Sequence, residues 1–397
     1  MAHSDPGGMQ RYFPLDWPGS PPNFPVMSQT TDCLSEGAGF AGAVIAERLA
    51  QAGKRCLIVE RRNHIGGNSH DHLDAAGVLI HSYGPHYFRS NSEAVVEYLS
   101  QFTQWHPVDY KILSWTDGRY WQFPINLNTF EALVGHPSTP EEMAETLAKW
   151  RVPIDKPANS EEVILSQVGR ELYEKFFKNY TRKQWKRDPS ELDASVCGRI
   201  PVRTNRDDRY LTEKFQALPL HGYTRLFERM LDHPNIEVRL QTDYRQVASQ
   251  LEFKQMVYTG PIDSFYDQRF GPLPYRSLRF EPETLEREVF QPAMQVNYPN
   301  DHDFTRIVEL KHATGQKLPV TTIVREYPED YAPGKEPYYP IPNPASHELY
   351  ERYAALARQE KRVRFVGRLA TYQYLNMDQV VLRALDEARR LLSEGTV

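Results

Sequence analysis

An α/β architecture is predicted by three features of this 397-residue chain: a strand, glycine turn, helix and strand near its start, then a long helical stretch, then short β-rich segments. Together they describe a Rossmann-like nucleotide-binding domain with a helical insertion domain and a mainly antiparallel sheet domain. The length favours two or three cooperating lobes, and 40% apolar residues are enough for a large core.

The first unit spans residues 32–60. Ile45 and Leu49 lie four apart on one helix face, Gly53 stands where a left-handed residue ends the helix, and a strand over 56–60 follows at once. The opening strand, 32–36, carries Ser35 and Glu36 where a buried central strand should be apolar. An unpaired carboxylate there would cost several kcal/mol, so either Glu36 has a partner or the segment is distorted.

From about 126 to 195 the pattern is helical, with PEEMAETLAKW and SEEVILSQVGRELYEKFFKNY set apart by Pro-rich breaks. From about 199 to 342, the segments MVYTG, AMQVNY and TTIVREY predict a mostly antiparallel sheet. The chain closes with a strand over 363–367 and a helix over 378–392 whose Val381, Leu385, Ala388 and Leu392 share a face. The nucleotide-binding domain is therefore assigned to 29–101, 221–262 and 343–397, the helical domain to 126–198, and the sheet domain to 102–125, 199–220 and 263–342. Residues 1–28, dense in Pro and Gly, are expected to be irregular, with Met27 a possible second start.

A formal charge of −5 gives no general attraction for nucleic acid or anionic lipid, so an anionic ligand must meet local basic groups. Three cysteines, Cys33, Cys56 and Cys197, lie far apart with no CxxC, which suits a reducing cytoplasm. No apolar run reaches the roughly 18 to 20 residues that a membrane span needs, so a cytosolic protein is expected. His70 and His72 have no third ligand at recognisable spacing; an exposed loop explains them better, and no metal is expected.

Gly37, Gly39 and Gly42 form GAGFAG, in which glycines permit a tight turn and close backbone approach to a pyrophosphate at the helix start. Glu60 ends the next strand 18 residues past Gly42, where an acid would hydrogen-bond a ribose hydroxyl. Near the C-terminus, Asn376-Met377-Asp378 leads into a helix start that favours negative charge; a plain N-cap by Asp378 accounts for it equally well. A further constellation sets Tyr173, Phe176, Phe177, Tyr180 and Trp185 among Arg182, Lys183 and Lys186. It reads either as helix core or as a cleft in which Phe177 and Tyr180 sandwich a uracil while basic groups meet phosphates.

Five motifs in order, FFKNYTRKQW, GRIPVR with a later RY, VNY followed by TRI, PYYPI, and GRLATYQYLNMD, resemble those of bacterial UDP-galactopyranose mutases, and the resemblance covers residues 37–392. The pair Gly66-Gly67 in ERRNHIGGN is likewise similar to flavoproteins rather than to dehydrogenases. The resemblance implies an isomerase that interconverts UDP-galactopyranose and UDP-galactofuranose by ring contraction. Its cofactor would be FAD, active when reduced, with N5 attacking the anomeric carbon and UDP leaving. Arg199 and Arg306 would neutralise the diphosphate. Phe177 and Tyr180 would hold uracil, with Phe176 and Thr181 also binding substrate and Trp185, on a mobile loop, near the sugar; Tyr210, Asn297, Tyr339 and Tyr374 would complete the diphosphate and sugar site. The FAD set would be Gly37, Gly39, Phe40, Ala41, Gly42, Glu60, Arg61, Gly67, Asn68, His86, Gly367, Arg368, Tyr374, Asn376 and Met377, with Asn376 standing where some relatives carry Asp. A homodimer is also implied. Two other readings share the fold: a flavin oxidoreductase of the amine-oxidase or desaturase type, whose substrate pocket would be largely apolar, and a non-catalytic UDP-sugar or flavin sensor.

Overall fold

Five short strands pair in parallel to make the nucleotide-binding sheet, in the order Ile236–Arg239, Cys56–Val59, Thr30–Glu36, Glu252–Tyr258 and Val363–Phe365. The computed structural model describes residues 30–397, so the expectations for 1–28 and Met27 lie outside the described residues. Cys56–Val59 is buried at every position, as a parallel strand covered on both faces requires. Met256–Tyr258 of MVYTG belong to this parallel sheet and not to the antiparallel one.

Glu36 has partners, and its strand keeps one register with the strand Glu252–Tyr258 up to Glu36. Its carboxylate accepts the backbone N–H groups of Thr259 (3.1 Å) and Gly260 (2.8 Å), while the Thr259 hydroxyl donates to the Glu36 carbonyl (2.7 Å). Burial, with Glu60 nearby, pushes the Glu36 carboxyl up to about 7 against the pull of those two N–H groups. Ser35 is buried against the glycine turn.

The helix Phe40–Gln51 packs on the final helix, Met377–Glu394. The buried stripe of that last helix is Val381, Ala384, Ala388 and Leu391; Leu385 and Leu392, expected to face inward, are half-buried, a rotation of the expected face by about one residue. Asn376, not Asp378, is its N-cap, and the Asp378 carboxylate instead accepts from the Ser90 hydroxyl (3.1 Å).

A second sheet of seven strands runs Tyr339–Pro340, Tyr275–Leu285, Thr321–Asp330, Arg306–Val308, Gln295–Asn297, Ile112–Thr116 and Arg119–Phe123, antiparallel except where Gln295–Asn297 meets Ile112–Thr116. Trp105–Pro107 and Phe215–Pro219, assigned to this domain, instead join Phe88–Ser90 in a separate three-stranded sheet. The helical segment also departs from expectation. SEEVILSQVGRELYEKFFKNY is not one regular helix: Gly169 adopts φ 80°, and a Cβ there would strike the Trp150 carbonyl. Tyr173–Lys178 then winds as a wider π-helix before the α-helix Asn179–Trp185. Such local widening re-aims side chains and is frequent at functional sites.

Candidate active site

The glycine turn sits at the carboxyl edge of the parallel sheet. Gly37 donates to the Val59 carbonyl (2.8 Å), and the first intrahelical bond runs from Ala43 N–H to the Gly39 carbonyl (2.9 Å). The N–H groups of Phe40, Ala41 and Gly42 therefore have no partner within the helix and are placed to meet an anion. Gly39 backs onto Gly67: a Cβ added to Gly67 would lie 2.9 Å from the Gly39 Cα. One added to Gly42 would fall on the Gly37 carbonyl oxygen. Gly367 (φ 96°) brings the end of the last strand against Ala41, 3.2 Å from where its Cβ would be. This backbone cradle fits a dinucleotide pyrophosphate.

The acid expected at the ribose, Glu60, is buried, and its carboxylate accepts from the N–H groups of Ala38 (3.1 Å) and Arg62 (3.0 Å), so it also braces the turn. The Phe40 ring turns into the core against Phe227 (4.6 Å between centroids). Arg61 is half exposed and paired with Glu336 (2.5 Å).

Two adjoining cavities of about 200 and 90 Å3 share Arg199, Tyr210, Arg306, Tyr339 and Tyr374 as a common wall. The larger is lined by Asn68, His86, Arg368, Asn376 and Met377, and the smaller by Phe176, Phe177, Tyr180, Thr181, Trp185 and Asn297. A wider cleft of about 570 Å3, around His106, Glu288 and Lys317, contains none of these residues.

The shared wall, with Arg368 of the larger cavity beside it, is strongly cationic. Arg199 stacks over the Tyr374 ring (4.5 Å to the centroid) and Arg368 over the same ring (5.0 Å). Among the described residues neither guanidinium has a carboxylate partner in an ion pair. Arg306 does, donating twice to buried Glu326 (2.8 and 2.6 Å), which fixes its orientation. Burial alone would raise the Tyr374 phenol, but Arg199, Arg368 and Arg306 outweigh it and bring the group down to about 8. Tyr374 stacks on Tyr339 (5.5 Å), and Tyr339 lies beside Trp185 (6.1 Å).

His86 is lowered to about 4 by burial and is neutral at pH 7. Its Nδ1 lies 2.8 Å from the Gly84 carbonyl, which assigns the proton to that nitrogen and leaves Nε2 an acceptor. The basic residues of the aromatic segment do not reach the cavity wall. Arg182 pairs with Asp188 (2.7 Å), Lys183 donates to four backbone carbonyls, and Lys186 is exposed. Phe176 serves both readings of that segment: it lines the cavity and packs on Trp121 and Phe123. Trp185, expected on a loop, is buried at the end of a helix.

Sequence reasoning missed a relay of polar side chains: Tyr87 donates to Gln295 Oε1 (2.6 Å), and Gln295 Nε2 donates to Asn297 Oδ1 (2.8 Å). It also missed Arg89, which donates to Asn376 Oδ1 (3.0 Å), and Glu326. His70 and His72 are not in an exposed loop. Both are half-buried, hydrogen-bonded near Thr224 (3.1 Å) and Ser82 (3.0 Å), and His70 stacks on His64 (3.8 Å).

A family model described as UDP-galactopyranose mutase matches residues 175–374, which carry most of this wall. The probable UDP-galactopyranose mutase of Klebsiella pneumoniae is 40% identical over 361 residues, 90% of this chain and 94% of the relative. The chain belongs to the UDP-galactopyranose mutase family. A dTDP-fucopyranose mutase of Escherichia coli is also similar, 34% identical over 89% of this chain and 96% of its own length. A model of the NAD(P)-binding Rossmann-like domain matches residues 37–102, where the glycine cradle lies. The crystal structure of a reduced UDP-galactopyranose mutase shares the fold, with a TM-score of 0.73 at 17% identity, covering 91% of this chain and 96% of that one. The Rossmann-like match over the glycine cradle supports a flavin cofactor. Among the described residues no helix is long and apolar enough to cross a membrane.

Proposed function

We propose that this protein interconverts UDP-galactopyranose and UDP-galactofuranose, with FAD held in its reduced state. The observation that carries the reading is the wall of three guanidinium groups between an aromatic cleft and the cavity lined by His86, Asn376 and Met377. Arg199, Arg306 and Arg368 can neutralise a diphosphate, while the cleft accepts a flat pyrimidine and the glycine cradle holds a dinucleotide.

Ring contraction requires C1 to open and reclose through O4, with no net oxidation. The bond from C1 to the diphosphate must break, leaving its electron pair on the departing UDP. Arg199 and Arg306 stabilise that growing charge, and they do so most strongly in a site that excludes water. Phe177 and Tyr180 hold the base. Asn297, whose carbonyl oxygen is engaged by Gln295, presents its amide N–H groups to the sugar, and Tyr339 and Tyr374 orient the diphosphate and sugar. FAD would rest on Gly37, Gly39, Gly42, Glu60, Gly67, Asn68, Gly367, Arg368, Asn376 and Met377, with neutral His86 beside it. When bound and reduced, it supplies a nucleophilic N5 for the anomeric carbon.

No protein nucleophile is needed. A cavity walled by arginines and tyrosines also disfavours an amine-oxidase type of reaction, which calls for an apolar pocket. The reduced protein is expected to convert UDP-galactofuranose to UDP-galactopyranose on chromatography. Steady hydrogen peroxide production from an amine, without isomerisation, would refute the reading.

The charge of Tyr374 supplies a pH test. Its lowered value means that the phenolate form favours the folded protein, a contribution absent below about 8 and complete above the ordinary tyrosine value of about 10. A phenolate among the arginines competes with a diphosphate. UDP affinity is therefore expected to fall as pH rises through about 8, and to stay flat over that interval in Tyr374→Phe. Tryptophan fluorescence during UDP titration at pH 7 and 9 reads both.

A further inference from the structure

We propose that Lys183 is a positioning residue that locks the base-holding helix to the hairpin carrying Asn297 and Arg306, so that the two halves of the cavity keep one spacing. The inference rests on the reading of the cavity as a nucleotide-sugar site.

The hairpin joins the strands Gln295–Asn297 and Arg306–Val308, and its turn runs over residues 298–304. Lys183, about one turn after Tyr180 in the helix Asn179–Trp185, inserts its ammonium into that turn. It donates to the carbonyls of Tyr298, Asp301 (3.1 Å), His302 (3.2 Å) and Phe304 (3.1 Å). Four carbonyls on one ammonium exceed its three protons, so the group sits in a nest of partial negative charge that a solvent-exposed lysine would not seek. The turn is bent to make it. His302 adopts φ 62°, a conformation that a residue with a side chain rarely takes, and its carbonyl is one of the four.

A second link runs beside the first. Asn179 donates to Asn300 Oδ1 (2.9 Å), and Asn300 donates to Thr116 Oγ1 (2.8 Å) and to the Lys175 carbonyl (3.2 Å). Both links tie residues 175–183, which carry Phe177 and Tyr180, to a turn whose two ends are Asn297 and Arg306. A base held by the first group and a diphosphate held by the second belong to one ligand, so the clamp sets the distance across which that ligand must fit.

Lys183→Met keeps the aliphatic stem and removes the donors. The measurement is made at pH 7, below the value of about 8 to which burial lowers this ammonium against the pull of Asp301 and Asp303. The flavin-loaded variant is expected to bind UDP about tenfold more weakly by tryptophan fluorescence, with KM raised in step and kcat within about threefold of wild type. Lys183→Arg is expected to restore most of the affinity. Asn300→Ala cuts the parallel link, should weaken UDP in the same sense, and carries the test if Lys183→Met does not fold. Amide exchange over 298–305 should quicken in either variant while the nucleotide-binding sheet stays protected. Unchanged UDP affinity and unchanged exchange at 298–305 in a folded variant would overturn the proposal. Wild-type protein that binds no UDP would remove the functional reading instead, and the exchange result would still decide whether Lys183 holds the hairpin.

Discussion

Arg199→Ala is expected to lower kcat/KM by roughly 10²- to 10³-fold, about 3–4 kcal/mol of lost transition-state stabilisation, while the protein stays yellow and melts near its wild-type temperature. Arg306→Ala should lose as much activity but also stability. The difference lies in what each substitution leaves behind. Arg199 rests on the Tyr374 ring and has no carboxylate partner among the described residues, so its removal strands no charge. Arg306 is paired with Glu326, which is 1% exposed, and truncation leaves that carboxylate buried and alone, a cost of about 3–5 kcal/mol. Arg306→Ala combined with Glu326→Gln should therefore regain much of the stability and none of the activity. Steady-state kinetics beside thermal unfolding separates the two effects. If both single variants lost stability alike, the pairing would not be what distinguishes them.

The second large effect is at Gly42. Gly42→Ala is expected to yield protein that purifies without flavin, because the added Cβ would fall on the Gly37 carbonyl oxygen and crowd Ser35 Oγ. Backbone on one side and the first helical turn on the other leave no room to relax, so the turn must open where the pyrophosphate would lie. Gly53→Ala is the control. It meets nothing within 4 Å, and its φ of 80° makes strain of about 1 kcal/mol the expected cost, with flavin retained. Absorbance at the flavin bands of the purified variants reads the outcome. A fully yellow Gly42→Ala protein would remove the cradle from the account.

How much of this was legible in the sequence follows from how local each feature is. GAGFAG, Glu60 and the final helix could be read because each is a short-range pattern whose geometry the neighbouring residues dictate. The partner of Glu36 could not: Thr259 and Gly260 stand more than two hundred residues away and meet it only through the register of two parallel strands. The relay from Tyr87 through Gln295 to Asn297 is hidden for the same reason. Gly169 was visible as a letter, but its role depends on the approach of the Trp150 carbonyl, a contact between two helices. The basic residues around Trp185 show the limit of composition as a guide. They sit beside the aromatics in sequence, yet the helix turns Lys183 and Arg182 toward a hairpin turn and Asp188, and the cationic wall is built by Arg199, Arg306 and Arg368 from three other parts of the chain.

The proposed role of this cationic wall is a UDP-sugar isomerisation which needs a reduced flavin. Its most direct test is anaerobic incubation of the full-length yellow protein with UDP-galactofuranose, with and without dithionite, followed by chromatography for UDP-galactopyranose. Conversion in the reduced sample alone is the predicted result. Appreciable conversion by fully oxidised protein would contradict the role given to the flavin, and no conversion in either sample with FAD bound would contradict the reading of the site.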